Sequence, residues 1–176
     1  MRSSTAMRTM RALFMMGLIV HGLLVGSAEA ASRFERESLR GLTEVFVMVD
    51  VSTSDAERDG VSEQAIRTAV EAILRSSGIR VLTVEEGRTG RPAAILNVNA
   101  DAVQSNPASV YGFNVTAVLY QQVRLANRPE VDTPAITWGK SITGAVHSTS
   151  LKPHVMRDAE SIAKAFANDF LSMNTR

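Results

Sequence analysis

The chain has 176 residues, of which 19 are lysine or arginine and 18 are aspartate or glutamate, so its formal charge is +1 at pH 7, and it contains no cysteine. A near-neutral chain lacks the positive field that draws proteins to nucleic acid, so we expect no nucleic-acid partner. The lack of cysteine excludes disulfides, a thiol nucleophile and thiolate metal ligands.

Residues 1–30 have the pattern of a secretory signal peptide. Three arginines precede an apolar run from Ala12 to Gly26, and Ala28-Glu29-Ala30 follows as an A-x-A cleavage motif. We expect cleavage between Ala30 and Ala31. The apolar run is shorter than the roughly 20 residues that a spanning helix needs. The sequence therefore predicts a periplasmic or secreted protein with no transmembrane anchor after cleavage.

The first half of the remaining chain predicts a strand, a helix and a second strand. Residues 31–41 are charged and are interpreted as a linker or a marginal helix. Residues 42–51 alternate with one valine-rich face, which is typical of a strand. Ser62 is a good N-cap and Gly78 a good helix stop. The helix between them carries an apolar stripe, and residues 79–84 resume a strand; the stripe is Ile66, Ala69, Val70, Ile73 and Leu74.

The second half predicts three strands and a closing helix. Residues 94–102 alternate between apolar and polar positions, and residues 110–125 alternate over a length that indicates a bulge or an end projecting past the sheet. Residues 127–134 are interpreted as a loop and residues 135–146 as the last strand, with Ile136, Trp138 and Ile142 in the core. A helix with Pro153 in its first turn then runs to about Met173.

Together these elements predict an α+β fold in the order βαββββα. Both helices have one apolar side, so we expect them to pack on one face of a four- to five-stranded, mostly antiparallel sheet, as a two-layer sandwich. Residues 42–176 are predicted to form a single domain. The opposite sheet face is left open, and it is the candidate partner-facing surface; its residues are Phe46, Met48, Asn97, Asn99, Asn114, Thr116 and Tyr120.

The chain carries little that points to chemistry. Gly139-Lys140-Ser141 resembles the end of a phosphate-binding loop, but Pro134 stands where that motif requires a glycine. His147, His154 and Asp158 are the best metal or hydrolase candidates, and a polar helix start explains them without a ligand. We therefore expect no catalytic, metal or cofactor site, and no enzyme activity.

The order of elements resembles that of small bacterial envelope domains. The stretch AIRTAVEAILRSSGIRVLTVEE is a helix that ends in glycine and leads into a strand, and it is similar to the "helix, then G-[IV]-x-V" segment of those domains, here Val70 to Val84. They include the N-terminal domain of the Tol translocation protein and the lipoprotein that plugs the lipopolysaccharide translocon. That lipoprotein is anchored through a cysteine, which this chain lacks. The resemblance implies an interaction module without catalysis.

Two functions from different classes follow as hypotheses. The first is an exported, non-catalytic protein-interaction module that binds an envelope protein during envelope assembly or maintenance. The alternative is a small periplasmic carrier that holds an apolar ligand between helices and sheet. The pocket of such a carrier would be lined by Met48, Phe113, Phe166, Phe170 and Met173.

Overall fold

The computed structural model describes residues 31–90, 94–105 and 109–174, without the side chains of residues 54 and 55. The predicted signal peptide with its cleavage residue Ala30 lies outside this part of the chain. Within it, no helix combines the length and the apolar character that crossing a membrane requires.

Five strands form one mixed sheet in the order β2-β1-β3-β4-β5. The strand β1 runs parallel to both β2 and β3, whereas β3, β4 and β5 are antiparallel neighbours. This pattern follows from the connections, because a helical crossover joins β1 to β2, whereas only a few residues separate β3 from β4 and β4 from β5. The bounds are Glu44–Val51 for β1, Arg80–Val81 for β2, Ala94–Ser105 for β3, Val110–Leu125 for β4 and Arg128–His147 for β5.

Two long helices cover one face of this sheet. Helix α3 (Glu63–Ser76) packs on β1, helix α5 (Leu151–Asn174) packs on β4 and β5, and the two helices contact each other. Ser62 Oγ accepts the Ala65 N–H, and Gly78 ends α3 with a φ of 80°. The predicted α+β class, the two-layer arrangement and the mostly antiparallel sheet are confirmed.

The core lies between the helices and the sheet and contains the large buried side chains. The only tryptophan, Trp138, stacks edge-on against Phe166 with ring centroids 5.1 Å apart, and its Nε1 donates to Asp169 Oδ2 at 3.0 Å. On α3 the buried stripe is Ile66, Val70 and Leu74, while Ile73 is only partly buried. Ile73 is therefore less central than the helical periodicity predicts.

Three short helices occupy segments without a strong apolar pattern. Helix α1 (Arg33–Glu37) lies in the segment interpreted as a linker or a marginal helix, and Leu39 beyond it is buried in the core. Helix α2 (Ser54–Arg58) lies between the end of β1 and the N-cap Ser62. Helix α4 (Val84–Thr89) replaces the end of the predicted strand, because a capping box from Thr83 and Glu86 nucleates a helix there. The prediction of a strand over residues 79–84 is wrong beyond Val81.

The last hairpin differs most from its prediction. β5 begins at Arg128, so the predicted loop over residues 127–134 is wrong, and β4 beyond Gln121 pairs with β5 alone. This end of the hairpin projects past the sheet, as the length of β4 predicts. A register shift leaves Thr137 as an extra residue between Ile136 and Trp138.

The extra residue explains why Ile136 is not in the core. A β-bulge reverses the alternation of side chains on one strand. Trp138 lies opposite Leu119 on the helical face, whereas Ile136 lies opposite Tyr120 on the other face and is 56% exposed. Lys140 keeps the core-side parity, opposite Ala117, and is partly buried.

Candidate functional site

The sheet face opposite α3 and α5 is organised in rows that run across three or four strands. Residues paired between neighbouring strands share a face, so the register defines each row. Two rows are rich in apolar side chains, and the next two are polar. The first is Phe46-Ile95-Tyr120-Ile136, the second Met48-Asn97-Val118-Gly139, the third Asp50-Asn99-Thr116-Ser141 and the fourth Asp101-Asn114-Thr143.

The apolar end of this face consists of Met48, Ile95, Val118, Tyr120 and Ile136. Met48 is 44% exposed and Ile136 is 56% exposed, and the other three are partly exposed. These residues come from four strands, and the register places them in adjacent rows. Isolated exposed apolar residues are common on proteins, whereas a contiguous group of them is typical of a contact surface.

Phe46 belongs to the first of these rows, with Ile95, Tyr120 and Ile136, but it is not available for binding. Its exposure is 9%, because α4 folds over this corner of the face. A Cβ atom placed on Gly87 would come within 2.3 Å of the Phe46 ring. The helix passes this close because residue 87 has no side chain. The prediction that Phe46 faces a partner is therefore wrong.

Charged groups hold α4 in this position. Arg80 on β2 donates from Nη1 to Glu44 Oε2 at 2.7 Å and from Nη2 to Glu86 Oε1 at 3.1 Å. The N–H and hydroxyl groups of Thr83, with a further contribution from Arg80, lower the pKa of Glu86 below its ordinary value of 4.5. These contacts join β1, β2 and α4 at one edge of the apolar end.

Most amide and hydroxyl side chains at the polar end of the face are hydrogen-bonded to one another or to a neighbouring serine. Asn114 Nδ2 donates to Ser141 Oγ and to Thr143 Oγ1, both at 2.8 Å, while Thr116 Oγ1 donates to Asn114 Oδ1. Farther across the sheet, Ser52 Oγ donates to Asn99 Oδ1 at 3.0 Å. Side chains that are already paired in this way stabilise the strands and have less capacity to bind a ligand. We therefore place the candidate site at the apolar end.

The residues predicted from sequence to face a partner thus fall into three groups. Met48, Asn97 and Tyr120 lie in the apolar rows, Asn99, Asn114 and Thr116 lie in the polar rows, and Phe46 is covered. Ile136, by contrast, belongs to the apolar end although the alternation on β5 assigned it to the other face. Its apolar character gave no signal of exposure, because the alternation on β5 assigns it to the core until the extra residue at Thr137 is known.

The candidate metal and hydrolase residues each have another partner. His154 Nδ1 lies 2.7 Å from the Ser150 carbonyl, His147 Nδ1 lies 3.2 Å from Thr149 Oγ1, and Asp158 Oδ1 accepts from Arg157 Nε at 2.9 Å. Among the residues described, no three histidine or acidic side chains are grouped so that they could hold a metal ion.

The residues proposed to line a carrier pocket do not share one side of the sheet. Phe113, Phe166 and Phe170 are buried in the core, and Phe166 contacts Phe170 with ring centroids 6.1 Å apart. Met48 is on the open face, across the sheet from them. The predicted lining is therefore wrong with respect to Met48.

By its fold and site, the chain is a cysteine-free α+β domain with one helix-covered sheet face and one partly apolar open face. No protein-family model matches it, and no curated protein matches it. It is similar to a solved PelC dodecamer from Paraburkholderia phytofirmans, with 18% identity and a TM-score of 0.44 over 79% of this chain and 93% of that one.

A second solved structure is a minor lipoprotein from Acinetobacter baumannii. Its identity is 9% and its TM-score is 0.32, over 72% of this chain and 94% of that one. Because these scores and identities are low, the likenesses carry no conclusion about what this chain does. The resemblance to the Tol domain and to the translocon plug is not confirmed and stays a prediction.

Proposed function

We propose that this chain is an exported, non-catalytic domain of the cell envelope that binds another protein through the apolar end of its open sheet face. The observation that carries the proposal is the exposure of Met48 and Ile136 beside Val118 and Tyr120 on the open face of the sheet. A protein partner that covers these residues removes apolar surface from water at about 25 cal/mol per Å².

The geometry of the surrounding residues supports a protein partner. Four neighbouring strands form the apolar end, and the polar rows border it on one side. A hydrophobic centre with a polar rim is the usual anatomy of a protein interface. Tyr120 contributes an aromatic ring with a hydroxyl group, a side chain that is enriched where binding energy concentrates.

The cellular location is inferred from the leader. Residues 1–30 predict export, and the chain has no cysteine that a lipid could modify. A protein of this kind reaches its place in the envelope by contact with a partner. The inferred role is accessory, in the assembly or maintenance of the envelope.

Site-specific photo-crosslinking in the native host tests the proposal. A benzophenone amino acid at Ile136 or Met48 is expected to link the chain to the same partner protein. The same group at Asn168, which is exposed on α5, is the matched control. The Ile136→Asp variant is expected to lose the partner that is captured from position 48, while its far-ultraviolet circular dichroism stays unchanged.

Two results would contradict the proposal. One is an equal product pattern from positions 136 and 168, which would mean that contact is not specific to this face. The other is capture from position 48 that Ile136→Asp leaves unaffected, since a partner seated on the apolar end must touch both residues.

A further inference from the structure

The outer edge of β5 is a second surface, separate from the apolar end. β5 is the last strand in the sheet, so within the described part of the chain its outer edge has no neighbouring strand. Natural proteins protect such edges with proline, charge, a bulge or a covering segment. The first half of β5 has these devices. Pro129 and Pro134 lie there, the bulge is at Thr137, and Ser38 Oγ donates to the Thr137 carbonyl at 3.1 Å.

The second half of β5 is different. The edge segment, residues 141–147 (SITGAVH), has no lysine, arginine or acidic residue, no proline and no register shift. Its isoleucine, threonine and valine favour extended pairing. Ser141, Thr143 and Ala145 are exposed, so no described element covers them. An edge of this composition is suited to accept another strand.

The side of the edge segment that faces the helices is also incompletely covered. Ile142 and Val146 on β5 are only partly buried, as is Met156 on α5. A strand added to this edge would extend the helix-covered layer over Ile142 and Val146. An extended segment that brings its own helices would therefore pair with the exposed backbone of the edge and cover the partly buried apolar side chains.

We infer that the occupant is a second copy of this chain, paired antiparallel through the same edge segment about a two-fold axis at Thr143. A two-fold interface requires a surface that is complementary to itself. With the axis at Thr143, Ile142 of each copy lies opposite Gly144 of the other, so a large residue meets a small one. Ser141 lies opposite Ala145 by the same symmetry.

Charge favours this register. Lys140 lies opposite the partner's Val146, which leaves the two lysines well apart. An axis at Lys140 would instead place like charges directly opposite each other, an arrangement that destabilises paired strands. On the open face, Ser141, Thr143 and Ala145 are small, and the register places His147 opposite Gly139 of the other copy, so the two sheets meet without obstruction. The resulting dimer has one continuous sheet with all long helices on one side.

The inference does not depend on the proposed function. The edge segment shares no residue with the apolar end, and the dimer leaves both apolar ends exposed on one broad face. Dimer formation is measured with the purified chain alone, whereas the proposed function is measured by capture of another protein. Each can therefore fail without the other.

Single cysteines provide the first test, because the chain has none of its own. Directly opposite residues of antiparallel strands have Cβ atoms about 4.5–5.5 Å apart. In purified Thr143→Cys, we expect oxidation or a short bis-maleimide to link two copies. The control is Ala145→Cys, whose two thiols are separated by four residues of strand, about 13 Å at roughly 3.3 Å per residue, and which we expect not to form a disulfide.

Charge exchange at the same position provides the second test. Sedimentation velocity is expected to show a dimer for the unmodified chain and monomers for Thr143→Lys and Thr143→Glu separately. An equimolar mixture of the two variants is expected to recover the dimer, because opposite charges then meet at the axis. A far-ultraviolet circular dichroism spectrum that matches the unmodified chain shows that the fold is retained in each variant.

Several results would overturn the inference. They are an unmodified chain that sediments as a monomer at its solubility limit, equal cross-linking of the two cysteine variants, and failure of the mixed variants to associate. A Thr143→Cys thiol that links in cells only to a different protein would assign the edge to that protein's strand instead.

Discussion

The contact between Gly87 and Phe46 leads to the sharpest prediction, since it reverses the usual effect of a substitution. Within a helix, replacing glycine by alanine ordinarily gains about 1 kcal/mol of stability. Here the new Cβ would lie 2.3, 2.4 and 2.7 Å from three atoms of the Phe46 ring. Either the ring leaves its place or α4 moves off the sheet, and both changes expose Phe46 to water.

The expected change in the free energy of unfolding follows from two opposing effects, the exposure of Phe46 and the gain in helix propensity. Exposing a buried phenylalanine costs about 1.5–3 kcal/mol. After the gain in helix propensity, we expect Gly87→Ala to lower the free energy of unfolding by about 0.5–2 kcal/mol. Urea denaturation followed by the fluorescence of Trp138 measures this quantity, because Trp138 is buried in the core.

A double-mutant cycle separates the clash from other effects. Phe46→Ala removes the ring, so Gly87→Ala in that background is expected to be neutral or stabilising. The coupling energy should reach about 1 kcal/mol or more, as for other residues in direct contact. Gly112→Ala is the control, because a Cβ on Gly112 has nothing within 4 Å. If Gly87→Ala stabilises the protein with Phe46 present, α4 does not cover Phe46 and the reasoning fails.

Three further predictions concern the core and α4. Phe166→Ala should lower the free energy of unfolding by about 3–5 kcal/mol because a cavity replaces a fully buried ring, whereas Met48→Ala on the open face should change it by no more than about 1 kcal/mol. Denaturant melts compare the two variants, and equal losses of stability would mean that the sheet is covered on both sides. Asp169→Ala leaves Trp138 Nε1 without its acceptor and should cost about 1–3 kcal/mol, while Asp169→Asn, which keeps an acceptor oxygen, should cost less in the same melts. Because the pKa of Glu86 is lowered in the folded state, its stabilisation of α4 is present above the ordinary pKa of 4.5 and is lost as the pH falls through the lowered value; an NMR titration that finds the pKa of Glu86 at or above 4.5 would contradict this.

Much of the architecture was predictable from local patterns. Ser62 and Gly78 define the ends of α3, since an N-cap and a left-handed glycine act within one or two turns. The alternation in residues 110–125 defines β4, and the apolar stripe of α5 identifies the face that it buries. From these patterns the α+β class and the two-layer arrangement follow, because each apolar side has to be covered.

The candidate site was only partly predictable. Alternation along a strand assigns a side chain to one of two faces, but it does not reveal what lies over that face or where an extra residue reverses it. Met48 and Tyr120 were assigned correctly to the open face on parity alone. The covering of Phe46 was not predictable, because it depends on a glycine 41 positions away that brings α4 to the sheet.

The sequence by itself determined the order of the main elements and the apolar side of both long helices, because each depends on neighbouring residues. Only the tertiary structure decided which apolar residues stay exposed. Ile136 lies on the open face because the pairing of β5 with β4 leaves Thr137 without an opposite residue. The outer edge of β5 is free to pair with another strand because β5 is the last strand in the order of the described sheet. Both are properties of strand pairing between distant segments, which local propensity does not encode.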